Sequence, residues 1–269
     1  MTHTSPIRIG VAGALGRMGR VVAGLVRARE GAALGPLFDR PDLAGQIIDG
    51  LALTSVAEAI AGSDVIIDFT TPEASAVLAD SCARVGRVAL VVGTTGFAPD
   101  RFAAVEAAAQ VIPVVATGNF SLGLNLLIGL VRQAAQALSA ADFDIEVFEA
   151  HHRRKVDSPS GTALMLGKAA AAGRGVDLAK VSERGRDGVS NARAEGAIGF
   201  TSMRGGGIVG EHSVVFAADD EIITLSHSAR DRSLFARGAL AAAMWAAGRP
   251  AGLHDMQDVL GLGGEGADV

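Results

Sequence analysis

The sequence predicts an α/β chain, with a doubly wound parallel sheet in its first half and an α+β domain on a mixed sheet after it. Three observations carry this. Short β-branched runs alternate with segments of helical periodicity through residues 1–121, the pattern of successive β-α-β units. Polar or glycine-rich turns follow those runs, at the sheet edge where such folds bind ligands. Beyond Leu138 the strand candidates crowd together with little helix between them, so a parallel sheet no longer fits.

Ile7–Ala12 is the first buried strand and ends in glycines. Met18–Arg29 has helical spacing, and Gly31–Phe38 is a strand stopping at Asp39-Arg40-Pro41. Val65–Phe69 is a third strand, and Thr71-Pro72-Glu73 opens a helix with proline in its first turn. Ala89–Val92 follows, then a helix over Phe102–Gln110 and a strand over Val111–Val115. Leu122–Leu138 is a long helix, Phe143–Ala150 a strand, Thr162–Ala172 a helix and Gly173–Asn191 irregular. Ala192–Met203, Gly207–Ala217 and Glu221–His227 complete the second sheet. The Ala-rich helix Ser233–Ala247 returns to the first domain. The expected division is therefore 1–121 for the doubly wound domain, 122–232 for the α+β domain, and 233–269 as the segment returning to the first.

Composition narrows the function. A chain of 269 residues, 49% hydrophobic and 20% charged, can bury a core and is not extensively disordered. With 24 basic against 29 acidic residues and no long basic tract, nucleic acid is not an expected partner. The one cysteine, Cys82, excludes an intramolecular disulfide and a multi-cysteine zinc site. Its helical Ala-rich surroundings read as those of a buried structural thiol. Neither a signal peptide nor a bilayer-spanning run is evident, so the expectation is a cytoplasmic protein without a membrane partner.

The turn after the first strand is Gly10-Val11-Ala12-Gly13-Ala14-Leu15-Gly16-Arg17-Met18-Gly19, with its core at Gly13, Gly16 and Gly19. Bare backbone lets a pyrophosphate come close, and the following helix start offers N–H groups and a positive dipole end. The strand–turn–helix context supports a Rossmann-like dinucleotide site. Asp39 ends the second strand about 20 residues on, placed to accept from ribose hydroxyls. Arg40 and Arg17 suit a 2′-phosphate instead, so both NADH and NADPH stay open.

The most informative segment runs from Glu149 to Leu164: Glu-Ala-His-His-Arg-Arg-Lys-Val-Asp-Ser-Pro-Ser-Gly-Thr-Ala-Leu. A strand end delivers His151, His152 and Lys155. A turn then opens a helix, with Ser160 as N-cap and Gly161 and Thr162 as a carboxylate pocket. Basic residues beside it suit a dianionic substrate and a proton donor. The adjacent cations argue against a metal.

These motifs, together with Gly93-Thr94-Thr95-Gly96-Phe97, Gly118-Asn119-Phe120-Ser121 and Ile208-Val209-Gly210-Glu211-His212, resemble the 4-hydroxy-tetrahydrodipicolinate (dihydrodipicolinate) reductase family. They occur in the family's order across essentially the whole chain. The resemblance implies that Gly13, Ala14, Leu15, Gly16, Arg17, Met18, Asp39, Arg40, Gly93, Thr94, Thr95, Thr117, Gly118, Asn119 and Phe120 contact the cofactor. It implies His151 as proton donor/acceptor, Lys155 as a second donor, and His152, Gly161 and Thr162 as substrate contacts. It further implies hydride delivery to a cyclic imine dicarboxylate, closure around substrate, and a homotetramer formed through the second sheet. Arg154, Gly118 and Asp39 depart from residues common in relatives, the last bearing on cofactor preference. For Glu211 and His212 a catalytic role stays open, the simpler reading being sheet surface or subunit contact. Two rivals are a sugar or amino-acid dehydrogenase of the Gfo type, for which the chain is short, and a non-catalytic dinucleotide sensor, which needs no proton donor.

Overall fold

The computed structural model describes residues 5–189 and 191–263. Residues 1–4, Ser190 and residues 264–269, which fall in the expected terminal segments and the irregular stretch, lie outside the described residues. Two compact units emerge, one running to Leu122 and resuming at Ser233, the other Gly123–Arg232.

The first unit begins with β1 (Ile7–Ala12), α1 (Arg17–Ala28) and β2 (Ala32–Phe38). A 3-10 turn at Pro41–Leu43, the small hairpin β3 (Ile47–Ile48) and β4 (Leu51–Ala52), and α2 (Val56–Gly62) follow. Next come β5 (Val65–Asp68), α3 (Pro72–Val85), β6 (Ala89–Val92), α4 (Pro99–Ala109) and β7 (Pro113–Ala116). The long helix α5 (Leu122–Ala137) carries the chain into the second unit, which holds β8 (Asp144–His151), α6 (Gly161–Gly173), α7 (Leu178–Val181), β9 (Ser182–Arg184), β10 (Ile198–Arg204), β11 (Gly210–Ala217) and β12 (Ile222–Ala229). The first unit resumes with α8 (Ser233–Ala246), β13 (Gly252–His254) and α9 (Met256–Val259).

Its sheet has the order β13-β7-β6-β5-β1-β2, with every pairing parallel. Strand alternation makes it two-faced. Val65 and Ile67 join a core with Ile9, Val11, Val22 and Leu240, whereas the intervening Ile66 joins Leu78, Cys82, Leu90 and Val105. Apolar side chains on both faces are why these strands read as continuous hydrophobic runs. Local chemistry sets the helix ends. Ser55 and Glu58 form a reciprocal capping box on α2. Thr71 caps α3 ahead of Pro72, and Gly86 ends that helix in the left-handed region at φ 72°.

The second unit has a mixed sheet ordered β12-β11-β8-β10-β9. β8 pairs parallel with β10 and antiparallel with β11. Leu124, Val131, Ile145, Val147, Leu166 and Phe216 share its core.

Several sequence boundaries need correction. The expected strand Ala192–Met203 starts only at Ile198 and ends at Arg204, because Arg193 holds the preceding residues in a turn. Its guanidinium donates to the carbonyls of Ile145 and Ala197 and pairs with Asp144. Gly196 there has φ 73°. The strand expected from Gly207 starts at Gly210, and the one expected to end at His227 continues to Ala229. The strand expected from Val111 starts at Pro113, and the helix expected from Phe102 starts at Pro99. The irregular stretch contains α7 and β9, a strand too short and polar to show a period. Phe143–Ala150 is shifted by one residue, which brings His151 into the strand itself.

Candidate active site

Chemistry-bearing residues gather in two places, one in each unit. In the first unit, Gly13 has φ 70°, and a Cβ there would lie 2.6 Å from the carbonyl oxygen of Phe69. At Gly19 a Cβ would lie 2.1 Å from the carbonyl oxygen of Gly13, so only glycine lets α1 start this close to the turn. Gly16 N-caps α1 without a side-chain hydrogen bond, which suits an anion at the helix start. The Asp39 carboxylate accepts from the backbone N–H of Leu15 and of Arg40, each at 3.0 Å. The end of β2 is thereby tied to the glycine turn. A cleft of about 820 Å³ is bounded by Gly13, Leu15, Gly16, Asp39, Arg40 and Thr70, among others.

Not every expected cofactor residue offers a side chain to that cleft. Ala14 is fully buried in the first core, and Leu15 and Met18 pack against it. Arg17, Arg40, Thr95 and Gly118 are exposed. Gly93 sits under the Phe69 ring, where a Cβ would be 2.2 Å away. Thr94 is buried and accepts from the Thr70 N–H at 3.0 Å. Thr117 Oγ1 accepts from the Asn119 N–H, and the Asn119 side chain accepts from the Ser121 N–H. Phe120 buries its ring edge-on against Phe69, with centroids 6.2 Å apart.

Sequence reasoning missed Asp68 as an organiser of this edge. Fully buried at the end of β5, it accepts from the Thr70 N–H and hydroxyl at 3.0 and 2.6 Å and from the Ser75 hydroxyl. Burial pushes its carboxyl above the usual range, against the pull of hydrogen bonds from Ser75, Thr70 and Thr94. A charged residue closing an apolar strand was the available signal.

In the second unit, register assembles the site. Glu149 and His151 lie two apart on β8 and so share a sheet face. Glu149 is opposite Ser202 of β10 and His212 of β11, and His151 is opposite Arg204. The Glu149 carboxylate, 1% exposed, lies 2.6 Å from His151 Nδ1 and takes a two-pronged contact from Arg204 at 2.7 and 2.8 Å. It also accepts from the Ser160 N–H at 3.2 Å. Burial would raise its pKa, yet hydrogen bonds from Arg204, Ser202 and His151 outweigh it and hold the group near 2. Glu149 is therefore an anion beneath the imidazole.

His212 lies not on the sheet surface but inside, as a neighbour of His151. It is 5% exposed, its ring meets that of His151 edge-on at 5.1 Å, and its Nε2 lies 3.3 Å from Ser160 Oγ. Burial, with the charge of His151 added, lowers its pKa to about 4. Glu211 points the other way along β11 and accepts from Ser228 at 2.6 Å. The Ser160 hydroxyl accepts from the Ala163 N–H at 3.2 Å, capping α6. Gly161 is exposed, with open space where a Cβ would stand, and Thr162 is half-buried beside it. Lys155 is half-buried and pairs with Asp157 at 2.9 Å. His152 is half-buried, and its Nδ1 makes no hydrogen bond among the described residues. His151, Lys155, Gly161 and Thr162 thus come from one strand end and the helix start that follows it. Glu149 and Arg204, which complete the cluster with His212, were not assigned roles from sequence.

A Rossmann-like unit with a glycine cradle, joined in one chain to a mixed sheet carrying an imidazole hydrogen-bonded to a buried carboxylate, defines a two-unit oxidoreductase architecture. Residues 7–120 match the family described as dihydrodipicolinate reductase, N-terminus, and residues 123–260 match dihydrodipicolinate reductase, C-terminus. The chain belongs to the dihydrodipicolinate reductase family. It is 58% identical to the 4-hydroxy-tetrahydrodipicolinate reductase of Caulobacter vibrioides, over 96% of this chain and 99% of that protein. It is 50% identical to the protein of that name from Roseobacter denitrificans, over 96% and 98%. Among solved structures, dipicolinate-bound dihydrodipicolinate reductase from Paenisporosarcina sp. TG-14 shares the fold with a TM-score of 0.75 and 24% identity, covering 94% of this chain and 98% of that one. Among the described residues, no helix is long and apolar enough to cross a membrane.

Proposed function

We propose that this chain reduces 4-hydroxy-tetrahydrodipicolinate to tetrahydrodipicolinate with NADH or NADPH, in the diaminopimelate route to lysine. The observation that carries the reading is near full-length identity of 58% to a relative bearing that name. The residues fit the cofactor. Gly13, Gly16 and Gly19 leave backbone bare at the start of α1, and Asp39 stands at the end of β2 for a ribose. When bound, the nicotinamide supplies the hydride. Thr70, Thr94 and Asp68 hold the sheet edge around that cleft in one arrangement.

On the substrate side, the start of α6 at Gly161 and Thr162 binds a carboxylate through backbone N–H groups and the threonine hydroxyl, with His152 beside it. His151, its Nδ1 engaged by Glu149, gives a proton from its other nitrogen to the position left electron-rich after reduction. Lys155 is the second proton donor. In the resting state its charge is held by Asp157, whose carboxyl that contact lowers. The working form is a homotetramer of the cytoplasm, assembled through the second unit's sheet.

The test is a coupled assay. Pyruvate and aspartate semialdehyde are fed through the upstream synthase, and oxidation of NADH and NADPH is followed by absorbance. Oxidation that depends on the synthase product is the expected result. Absence of oxidation with either nucleotide, from protein that binds NADH, overturns the reading.

A further inference from the structure

We infer that Glu149 and Arg204 are positioning residues that hold the His151 proton on Nδ1 and leave Nε2 as the nitrogen that exchanges a proton with substrate. The inference rests on the proposed reaction and assigns the atom at which its proton moves.

The geometry leaves little choice of tautomer. An ionised carboxylate only accepts, so at 2.6 Å from Glu149 Oε2 the His151 Nδ1 must be the donor. Nε2 then carries the lone pair in the neutral ring and the second N–H in the imidazolium. Gly210 lies alongside, and a Cβ there would crowd Nε2 at 3.2 Å. In the transfer, the Nε2–H bond breaks and its electron pair stays on the ring. The hydride's pair forms the new C–H bond, the π pair it displaces shifts to the far end of the acceptor, and the proton passes to the atom that receives it.

Arg204 keeps Glu149 in the acceptor state. Its guanidinium reaches both carboxylate oxygens, at 2.7 and 2.8 Å, a fork that matches a carboxylate and not a carboxylic acid. The remaining groups near the imidazole are His212 from β11, which burial keeps neutral near physiological pH, and Lys155, whose charge acts on His212. As a stabilising device alone, a buried ion pair of this kind is a poor choice, since matched apolar residues do as well or better. As a device that fixes one imidazole nitrogen, it serves a specific chemical end.

The same carboxylate reaches further. Through Oε1 it accepts the Ser160 N–H at 3.2 Å, immediately before Gly161 and Thr162. One side chain therefore aligns the proton donor and the carboxylate-binding turn together. Glu149→Gln keeps an oxygen for Ser160 while removing the charge under His151, which separates the two roles.

The experiment uses the full-length protein labelled with ¹⁵N-histidine, the His151 signals being assigned by their loss in His151→Gln. In the wild type, His151 is expected as the Nδ1–H tautomer. In Glu149→Gln, that signal should give way to a substantial Nε2–H population. kcat should fall by about 100-fold, the scale of general acid catalysis, with KM for the dicarboxylate nearly unchanged. Arg204→Lys keeps a cation beside the carboxylate, so the Nδ1–H tautomer should persist and kcat should lie between the two. An Nε2–H tautomer in the wild type overturns the inference, and it does so even when Glu149→Gln fails to fold. Wild-type kcat in a folded Glu149→Gln overturns it as well. Loss of all synthase-dependent turnover in the wild type would instead strike the proposed reaction, while the tautomer still decides the positioning role.

Discussion

Lowering the pH should weaken the second unit through His212, by an amount that follows from its surroundings. Burial and the neighbouring His151 bring its pKa from 6.5 to about 4, with His227 and Lys155 adding to the effect and Glu149 opposing it. Between these values the unfolded chain binds the proton and the folded one does not, so stability falls as pH falls. The contribution is complete above 6.5 and lost by about 4. At about 1.4 kcal/mol for each pH unit, the whole loss is about 3 kcal/mol. By about pH 5, about 2 kcal/mol of it has gone. The assay is urea unfolding of the wild type and His212→Gln at about pH 7.5 and about pH 5. Far-UV circular dichroism is the probe, because the chain's one tryptophan, Trp245, reports on the first unit. The wild type should lose about 2 kcal/mol more than the variant on acidification. The same pH dependence in both proteins would refute the argument that His212 is held neutral by burial.

His151→Gln and Lys155→Met should each lower kcat by about 100-fold or more, with dinucleotide affinity measured by NADH fluorescence nearly unchanged. Gly19→Ala forces a Cβ to within 2.1 Å of the Gly13 carbonyl, so it should cost about 1–3 kcal/mol in unfolding free energy and weaken NADH binding in a titration. Asp39→Ser removes a charged acceptor from the ribose position, which should shift the ratio of kcat/KM values toward NADPH by about 10- to 100-fold. The Cys82 thiol is fully buried, with burial and the nearby Asp68 pushing it up to about 12. It should therefore ignore a thiol reagent such as dithionitrobenzoate in the native protein and react once urea unfolds it.

The parallel sheet was legible because its strands are apolar on both faces, which leaves β6 an unbroken hydrophobic run, β5 one up to Asp68, and β1 one interrupted only by exposed Arg8 and by Gly10. The hairpin β3–β4 and the edge strand β13 have two or three residues each, too few for any period to develop. At the candidate site, the residues close in sequence were visible and their distant partners were not. His151, Lys155 and Thr162 share one segment, whereas Arg204 meets Glu149 only through the pairing of β10 with β8, 55 residues apart in the chain. In isolation Arg204 has the look of a solvated charge. The role of His212 stayed open for a related reason. Alternation along β11 turns it inward and Glu211 outward, and which face is inward depends on what β8 offers on the other side.

The chain path through the first unit has a consequence for synthesis. Helix α8 places Ala236, Ala239 and Leu240 in the same core as Ile9 and Val11, yet it emerges only after residues 123–232. A ribosome therefore delivers the whole of the second unit before the first can close its core. Until α8 arrives, the α1 face of the nascent parallel sheet lacks its cover, and that is the interval in which a chaperone would have apolar surface to hold.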